Sequence, residues 1–546
     1  MVANRITTEL GHSIPPEGPH TITFQVPGWD NALAFRDGDQ SLFQKLESLY
    51  PRFMPFGLVK QLCAIIQEKA SFPAAYGCLP FLHPASFSMA QAFAFSHHRK
   101  IAKLEPGELI FKIVDIHGVR LYCVGFPADK RPGIMGCWQN SGAGISSRMA
   151  EHLLNHTDTI IEVPFNTDAE AGQLPPPTYL PQTNAHEQLR ERIFNLLIRA
   201  PVTPQAAGLR SGDIYLYPTG MAAIYRVHEA IMQVRPGPLV GLGAIFHNTY
   251  HMFRESPEGF KHFGPCDAQS KVMDGLEAYV KTQQTVSYVF VEFPSNPVLV
   301  SVDLKRLRQL ADQYGFIIVV DDTIGSFCNI DVLSAADVII TSLTKSFSGY
   351  ADVMGGSVVL NPSFPFYTPL KNVYQEAFHN EIFAGDVEHL LANSADYLAR
   401  SATLNRNAKA VADLLQRHVG PGSAVTQVLY PPHSDTAANY TTFMRPATET
   451  FNAGYGCLLS VEFASRDAAR AFYDHLQVHQ GPHLGAHLTL AMNYNEWVLG
   501  KDPEDFEYHI GYGLKREQVR ISVGLEEVEE LVQVFEEALR FAEKEV

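Results

Sequence analysis

From about residue 212 onward, short runs of consecutive apolar residues alternate with longer stretches in which apolar residues recur every three or four positions. The runs are SYVFVEF (287–293), FIIVVDD (316–322), DVIITS (337–342) and GSVVLNP (356–362). Each is short, rich in Val and Ile, and apolar at odd and even positions alike, which predicts a strand covered on both faces. Between two of them, VDLKRLRQLADQYG puts Leu304, Leu307, Leu310 and Ala311 on one side of a helix, with Gly315 as its stop. The alternation predicts a mostly parallel sheet with helices on both faces. Ligands in such sheets bind beyond the carboxyl ends of the strands.

The flanks have different patterns. The first 165 residues are rich in Pro, His and aromatics, with strand-like runs ELIFKIVDI and VRLYCVGF. AGQLPPPTYLPQTN (171–184) reads as a linker, because its prolines remove backbone donors and favour extended chain. NAHEQLRERIFNLLIRA follows as an amphipathic helix. A long helical tract (386–419) leaves the alternating region, and strands such as GCLLSVEFA then mix with helices such as EEVEELVQVFEEALRFAEK. The expected division is an N-terminal extension and linker (1–185), a large α/β domain (186–395) and a smaller α+β domain (396–546), in line with roughly 100–200 residues per domain.

Composition narrows the class. A formal charge of -16 argues against nucleic acid or an anionic membrane as the main partner. Seven cysteines, widely spaced and without a CxxC pair, form neither a disulfide framework nor a zinc site. They fit reduced thiols in a cytoplasmic enzyme. The N-terminus lacks the apolar core of a signal peptide, and no apolar run is long enough to cross a membrane. His97 and His98 adjoin Arg99 and Lys100 and read as a solvated polar run, since adjacent side chains do not converge on one metal without other partners.

Four segments near the strand ends carry chemistry. In YPTGMAAI (217–224) a small turn opens a helix whose free N–H groups suit a phosphate; an ordinary N-cap by Thr219 accounts for it as well. In IIVVDDT (317–323) Asp321 ends a strand and suits a protonated pyridine nitrogen, or is a turn aspartate. In TSLTKSFSG (341–349) Lys345 follows a strand and is ringed by small hydroxyl residues, a setting in which a lysine is either solvated or nucleophilic enough for a Schiff base. In VRISVGLE (519–526) Arg520 offers a planar fork to a carboxylate, or to a surface ion pair.

Together, in this order, these segments identify a family. EFPSNP (292–297), VVDDT (319–323), SLTKSFSG (342–349), VMGGS (353–357), VRISVGLE (519–526) and YLYPTGMAAIY (215–225) resemble motifs of the Cys/Met-metabolism pyridoxal-phosphate enzymes, in the cystathionine gamma-synthase branch. IPPEGPHTITFQVPGWDNALAF (14–35) and YPRF (50–53) resemble the extension of the long fungal members. The resemblance implies a fold-type-I, aminotransferase-like three-layer core and a homo-oligomer, dimer or tetramer, with active sites between subunits. It implies that Lys345 holds pyridoxal 5'-phosphate and moves protons, and that Asp321 pairs with the pyridine nitrogen. Asn296 would lie near the cofactor hydroxyl. Gly220, Met221, Ser342 and Thr344 would hold the phosphate, and Arg520 the substrate carboxylate.

Two positions depart from the family pattern. AIFHNTYHMF (244–253) puts Phe246 where a tyrosine usually stacks on the cofactor. The family's Tyr-x-Arg element, whose arginine reaches the phosphate of the neighbouring subunit, aligns with TYLPQ (178–182), keeping Tyr179 but with Pro181 in place of arginine. The implied activity is γ-replacement on an activated homoserine, such as O-acetyl-L-homoserine, through a vinylglycine ketimine, with the departures favouring a carbon nucleophile such as a 3-oxo acid in natural-product biosynthesis. The alternatives are cysteine as nucleophile, γ-elimination, or a non-catalytic scaffold. No chemistry is assigned to the N-terminal extension.

Overall fold

The computed structural model describes residues 6–166, 173–203, 208–264, 271–283 and 285–546. The first two residues of the expected linker, and Cys266, lie outside the described residues. Three sheets organise the chain. The N-terminal sheet joins β1 (Tyr76–Phe81), β2 (Ile110–Ile116), β3 (Val119–Pro127) and β4 (Ile161–Glu162) in the order β1-β3-β2-β4, all antiparallel. The central sheet joins β5 (Ile214–Tyr217), β6 (Leu239–Leu242), β7 (Phe260–Phe263), β8 (Tyr288–Glu292), β9 (Ile317–Asp321), β10 (Val338–Ser342) and β11 (Gly356–Leu360) in the order β5-β11-β10-β9-β8-β6-β7. The third joins β12 (Val425–Leu429), β13 (Leu458–Phe463), β14 (His479–Gln480), β15 (Leu490–Met492) and β16 (Gln518–Ser522) in the order β12-β13-β16-β15-β14.

Strand periodicity explains the three layers of the core. Successive side chains point to opposite faces. Val289, Val291, Ile318, Val320 and Ile339 pack on one side with the helices Asn184–Ile198 and Leu304–Tyr314, through Leu189, Ile193, Leu307 and Leu310. Phe290, Ile317, Val319 and Ile340 pack on the other with the helix Gly220–Val234, through Ala223, Ile224, Val227 and Ile231. The strands in the middle of the sheet are therefore apolar on both faces until their polar carboxyl ends.

The sheet is parallel except at β11, which runs antiparallel to both β10 and β5. The link from Ser342 to Gly356 has no crossover helix and folds back as a wide hairpin loop, so the chain must return in the opposite sense. Lys345 lies in this loop. The helical tract after residue 384 is also interrupted: Ala384–Asn393 and Tyr397–Arg417 are separated by a turn at Ser394–Asp396. Arg400 satisfies a carbonyl freed at the interruption, donating to Asn393 O (3.2 Å).

The first 185 residues do not form one body. Residues 6–56 run as a strap over the small domain, burying Phe24, Val26, Phe35, Leu46 and Leu49 against Met492, Tyr494 and Trp497. Backbone bonds fix its course: Ile22 N donates to Ala351 O in the core, and Val26 N to Gln480 O in the small domain, both at 2.8 Å. Residues from Gly57 onward build a separate core of the first sheet and its helices, including Gly57–Lys69 and Ser147–Leu154. The strap is apolar enough to need a partner surface, and too short of regular structure to supply its own. Among the described residues, no helix is long and apolar enough to cross a membrane, and Cys63, Cys78, Cys123, Cys137, Cys328 and Cys457 are all buried free thiols.

Candidate active site

The carboxyl ends of β5, β8, β9 and β10 meet at one edge of the central sheet. Thr219 caps the helix Gly220–Val234, accepting from Ala222 N and donating to Gly142 O, both at 2.9 Å. A methyl group on Gly220 would lie 2.7 Å from Ser342 Cβ, so only glycine allows the first turn of this helix to reach the end of β10. Gly142 is as tightly placed: a Cβ there would lie 2.2 Å from Ala222 N. Gly220, Met221 and Ser342 thus line a cradle of close backbone. Thr344 is buried beside it, with its hydroxyl exchanging bonds with Gly355, donating to the carbonyl (3.2 Å) and accepting from the N–H (3.0 Å).

Strand parity separates the two adjacent aspartates. Asp321 follows Val319 on the face of the Gly220 helix, while Asp322 lies on the opposite face. There Asp322 is buried and accepts from Thr341 Oγ1 at 2.6 Å, and burial raises its pKa to about 7. Asp321 is half-buried, with one oxygen accepting from Thr323 N at 2.9 Å. Glu292 stands opposite it in the β8–β9 register, on the same face. Glu292 is buried and accepts from Phe246 N (2.5 Å) and Asn296 N (3.0 Å). Burial raises the pKa of both carboxyls, and for Glu292 the neighbouring Asp321 adds to it. A pair so placed favours holding a proton or facing a cation. Phe246 opens the helix His247–Arg254 at this corner, whereas Tyr250 turns away to pack on His262 and Tyr508.

Lys345 is half-buried, and among the described residues no carboxylate pairs with it. Its Nζ donates to Tyr50 Oη at 3.3 Å and lies 4.9 Å from the centre of that ring. The loop is held from below by Arg400, which is buried and donates to the carbonyls of Ser346 (3.2 Å), Phe347 (2.8 Å) and Ser348 (3.1 Å).

Arg520 comes from the small domain. Val519 and Ile521 enter that domain's core, so Arg520 points from the opposite face of β16. It is 3% exposed, donates to Asn296 Oδ1 (3.3 Å) and Pro482 O (2.8 Å), and lies 4.7 Å over the Tyr494 ring. No carboxylate within the described residues neutralises it, and burial lowers its pKa to about 10. An unpaired buried ion costs several kcal/mol, on the order of a lost salt bridge, so the site calls for an anion there.

Two residues lie where sequence reasoning did not look. Arg52 is 7% exposed, with Nε and Nη2 unpartnered. Its Nη1 donates to Ala143 O at 3.1 Å, next to the Gly142 that packs on the Gly220 helix, and burial lowers its pKa to about 9. His483 is buried with both ring nitrogens unpartnered. Burial, and then the charges of Lys345 and Arg520, hold its imidazole well below its ordinary pKa.

Within one chain, Tyr179 lies away from Lys345. Its side chain is 62% exposed and rests 5.1 Å from His379, because the Pro-rich segment around it runs over the surface. The Tyr-x-Arg pattern is instead spelled by Tyr50, Pro51 and Arg52, and those letters were the available signal. His483 had none, as it sits in a loop without periodicity. The extension, to which no chemistry was assigned, thus brings Tyr50 to Lys345 and Arg52 to Ala143.

The cradle, the carboxylate at the strand end, the lysine and the two unneutralised arginines fit a phosphorylated pyridine aldehyde and an amino-acid carboxylate. The comparisons agree. A model of Cys/Met metabolism PLP-dependent enzymes matches residues 197–540. A cystathionine gamma-synthase-like enzyme, iboG2, of Amanita muscaria is 32% identical, covering 98% of this chain and 97% of its own. Cystathionine gamma-synthase of Neurospora crassa is 29% identical over 98% and 99%. The solved cystathionine gamma synthase of Xanthomonas oryzae pv. oryzae in complex with aminoacrylate and cysteine superposes with a TM-score of 0.55 at 22% identity, covering 70% of this chain and 92% of its own. The chain belongs to the Cys/Met-metabolism family of pyridoxal-phosphate-dependent enzymes.

Proposed function

We propose that the protein catalyses γ-replacement on O-acetyl-L-homoserine or a similarly activated homoserine, joining it to a carbon nucleophile such as a 3-oxo acid. The observation that carries this is the pair of buried, unneutralised arginines on either side of Lys345. Arg52 requires an anion at the cradle end, which the cofactor phosphate supplies. Arg520 requires one at the small-domain end, which an amino-acid carboxylate supplies.

Bound pyridoxal phosphate supplies an electron sink for negative charge developing on the substrate carbons. Gly220, Met221, Ser342 and Thr344 would hold its phosphate with Arg52, and Asp321 would pair with its ring nitrogen. Lys345 would hold the cofactor and then carry protons from Cα and at Cβ. Tyr50 keeps the lysine aimed and shares its proton. Asn296 fixes Arg520 against the substrate carboxylate. The C–O bond at Cγ breaks and acetate leaves with its electron pair, while the 3-oxo acid's α-carbon gives up a proton and forms the new bond to Cγ, so that acetic acid is the net by-product. Phe246 has no hydroxyl to move protons or meet a polar nucleophile, which favours a less polar second substrate than cysteine. A scaffold would need none of Lys345, Asp321 and Arg520. The reading also takes the enzyme as a cytoplasmic homo-oligomer, in keeping with its buried free thiols.

The test gives the purified enzyme O-acetyl-L-homoserine with cysteine and a 3-oxo acid at equal concentration, products being read by mass. The expected product carries a new carbon–carbon bond. Preference for cysteine with cystathionine formed would refute the carbon nucleophile, and 2-oxobutanoate with ammonia alone would establish elimination instead.

A further inference from the structure

The N-terminal sheet carries a cluster that this chemistry leaves unused. β2 and β3 are joined by a two-residue turn, His117–Gly118, in which both φ angles are positive, 48° and 79°. Turns of this kind favour Asn-Gly or Asp-Gly, because the first residue must tolerate left-handed backbone. A histidine is a less usual occupant, and a residue held in a sparsely populated conformation invites a functional question. The turn is tied to the segment that follows the helix Ser147–Leu154. His117 N donates to Thr159 Oγ1 at 2.9 Å, and Thr159 in turn donates to His156 O from its N–H (3.0 Å) and its hydroxyl (2.7 Å).

This bracing brings His117 against His152, in the last turn of the helix, and His156, four residues later. The His117 and His156 rings lie 3.7 Å apart and nearly parallel, with the His152 ring 5.6 Å and 5.3 Å from them. One ring nitrogen from each lies within 4.8 Å of the other two. A tetrahedral ion with bonds of about 2.0–2.1 Å spaces its ligand atoms by about 3.3–3.4 Å, so the cluster closes once the His117 and His156 rings swing out of their stack to aim a nitrogen each at one point. No ion pair engages the three rings among the described residues.

We propose that His117, His152 and His156 form a binding site for a divalent transition-metal ion of the zinc type, separate from the cofactor site. Three imidazoles and no carboxylate suit zinc, copper or nickel and not magnesium or calcium. The remaining position faces solvent, as His117 is exposed. The ion pins the hairpin tip to the end of a helix whose other end leads back through Ser146 to the Gly142 loop at the phosphate cradle.

The test titrates zinc chloride into the tag-free, cofactor-loaded, metal-stripped full-length protein by calorimetry and follows thermal unfolding in parallel. The expected result is one tight equivalent, with affinity reduced at least tenfold in His117→Asn and in His152→Ala. The zinc-dependent rise in melting temperature should vanish in both. His117→Asn suits the turn, so it keeps the fold, checked by unchanged cofactor absorbance in the absence of metal. Zinc binding that both substitutions leave unchanged, or only weak binding at several equivalents, would overturn the site. Magnesium binding with the same stoichiometry and affinity would overturn the ligand assignment.

Discussion

The central sheet and the N-terminal strap build one site by opposite means. Asp321, Glu292, Ser342 and Gly220 stand at the ends of strands or the start of a helix, so local periodicity fixes where each one points. Tyr50 and Arg52 have no regular element of their own. They arrive because the strap before them is buried on a surface formed by residues 480 to 497, over 400 positions away. Catalytic position can therefore be encoded locally by a strand or remotely by a docked segment, and only the first is visible as a pattern in sequence.

Substitutions on the two sides test this contrast. The largest effect is expected from Lys345→Ala, which should abolish turnover and the visible absorbance of the bound cofactor; normal turnover in this variant would remove the whole assignment. Asp321→Asn should fold and lose about one to two decades in kcat/KM, the kinetic equivalent of a charged hydrogen bond of about 1.5–3 kcal/mol. Asp322→Asn should cost stability in a thermal melt more than activity, since its partner Thr341 lies on the other face of the sheet. The reverse ranking would show the wrong aspartate had been chosen.

On the strap side, Arg52→Ala should weaken cofactor affinity at least about tenfold, read by absorbance titration of the apoprotein. Because Tyr50 meets Lys345 within one chain, mixing Lys345→Ala chains with Arg52→Ala chains should restore no activity. Restored activity would mean that each extension serves a neighbouring subunit. Arg520→Ala should raise the amino-acid KM at least about tenfold, and an unchanged KM would place it outside the substrate's reach. Tyr50→Phe should have the smallest effect, a few-fold fall in kcat with a shifted pH profile, as expected for one neutral-partner hydrogen bond of about 0.5–1.5 kcal/mol. A flat pH profile and full kcat would reduce Tyr50 to packing.

Much of the core was legible. FIIVVDD and DVIITS are strands because their residues are apolar on both faces, and the helix Leu304–Tyr314 stops at Gly315, whose φ of 71° is the left-handed cap expected there. The antiparallel sense of β11 was not legible, since an apolar strand carries no mark of its direction. Arg400 and His483 were equally hidden. Arg400 looks like one more charged residue of an amphipathic helix, and only the folded chain shows it holding three carbonyls after Lys345. The exposure of Tyr179 was not legible either, since a spacing match carries no mark of the surface that a proline-rich segment follows.

The strap also sets an order on synthesis. It leaves the ribosome well before its docking strands β14 and β15 and the Trp497 region. Domains fold as units and N-terminal ones first during synthesis, but this segment has nothing to fold upon until more than 400 further residues have emerged. The nascent strap must wait as exposed apolar chain, and Tyr50 and Arg52 reach Lys345 and the cradle only after residues 480 to 497 have been made. A chain ending before residue 480 would hold Lys345 and the cradle while lacking the surface that recruits the strap.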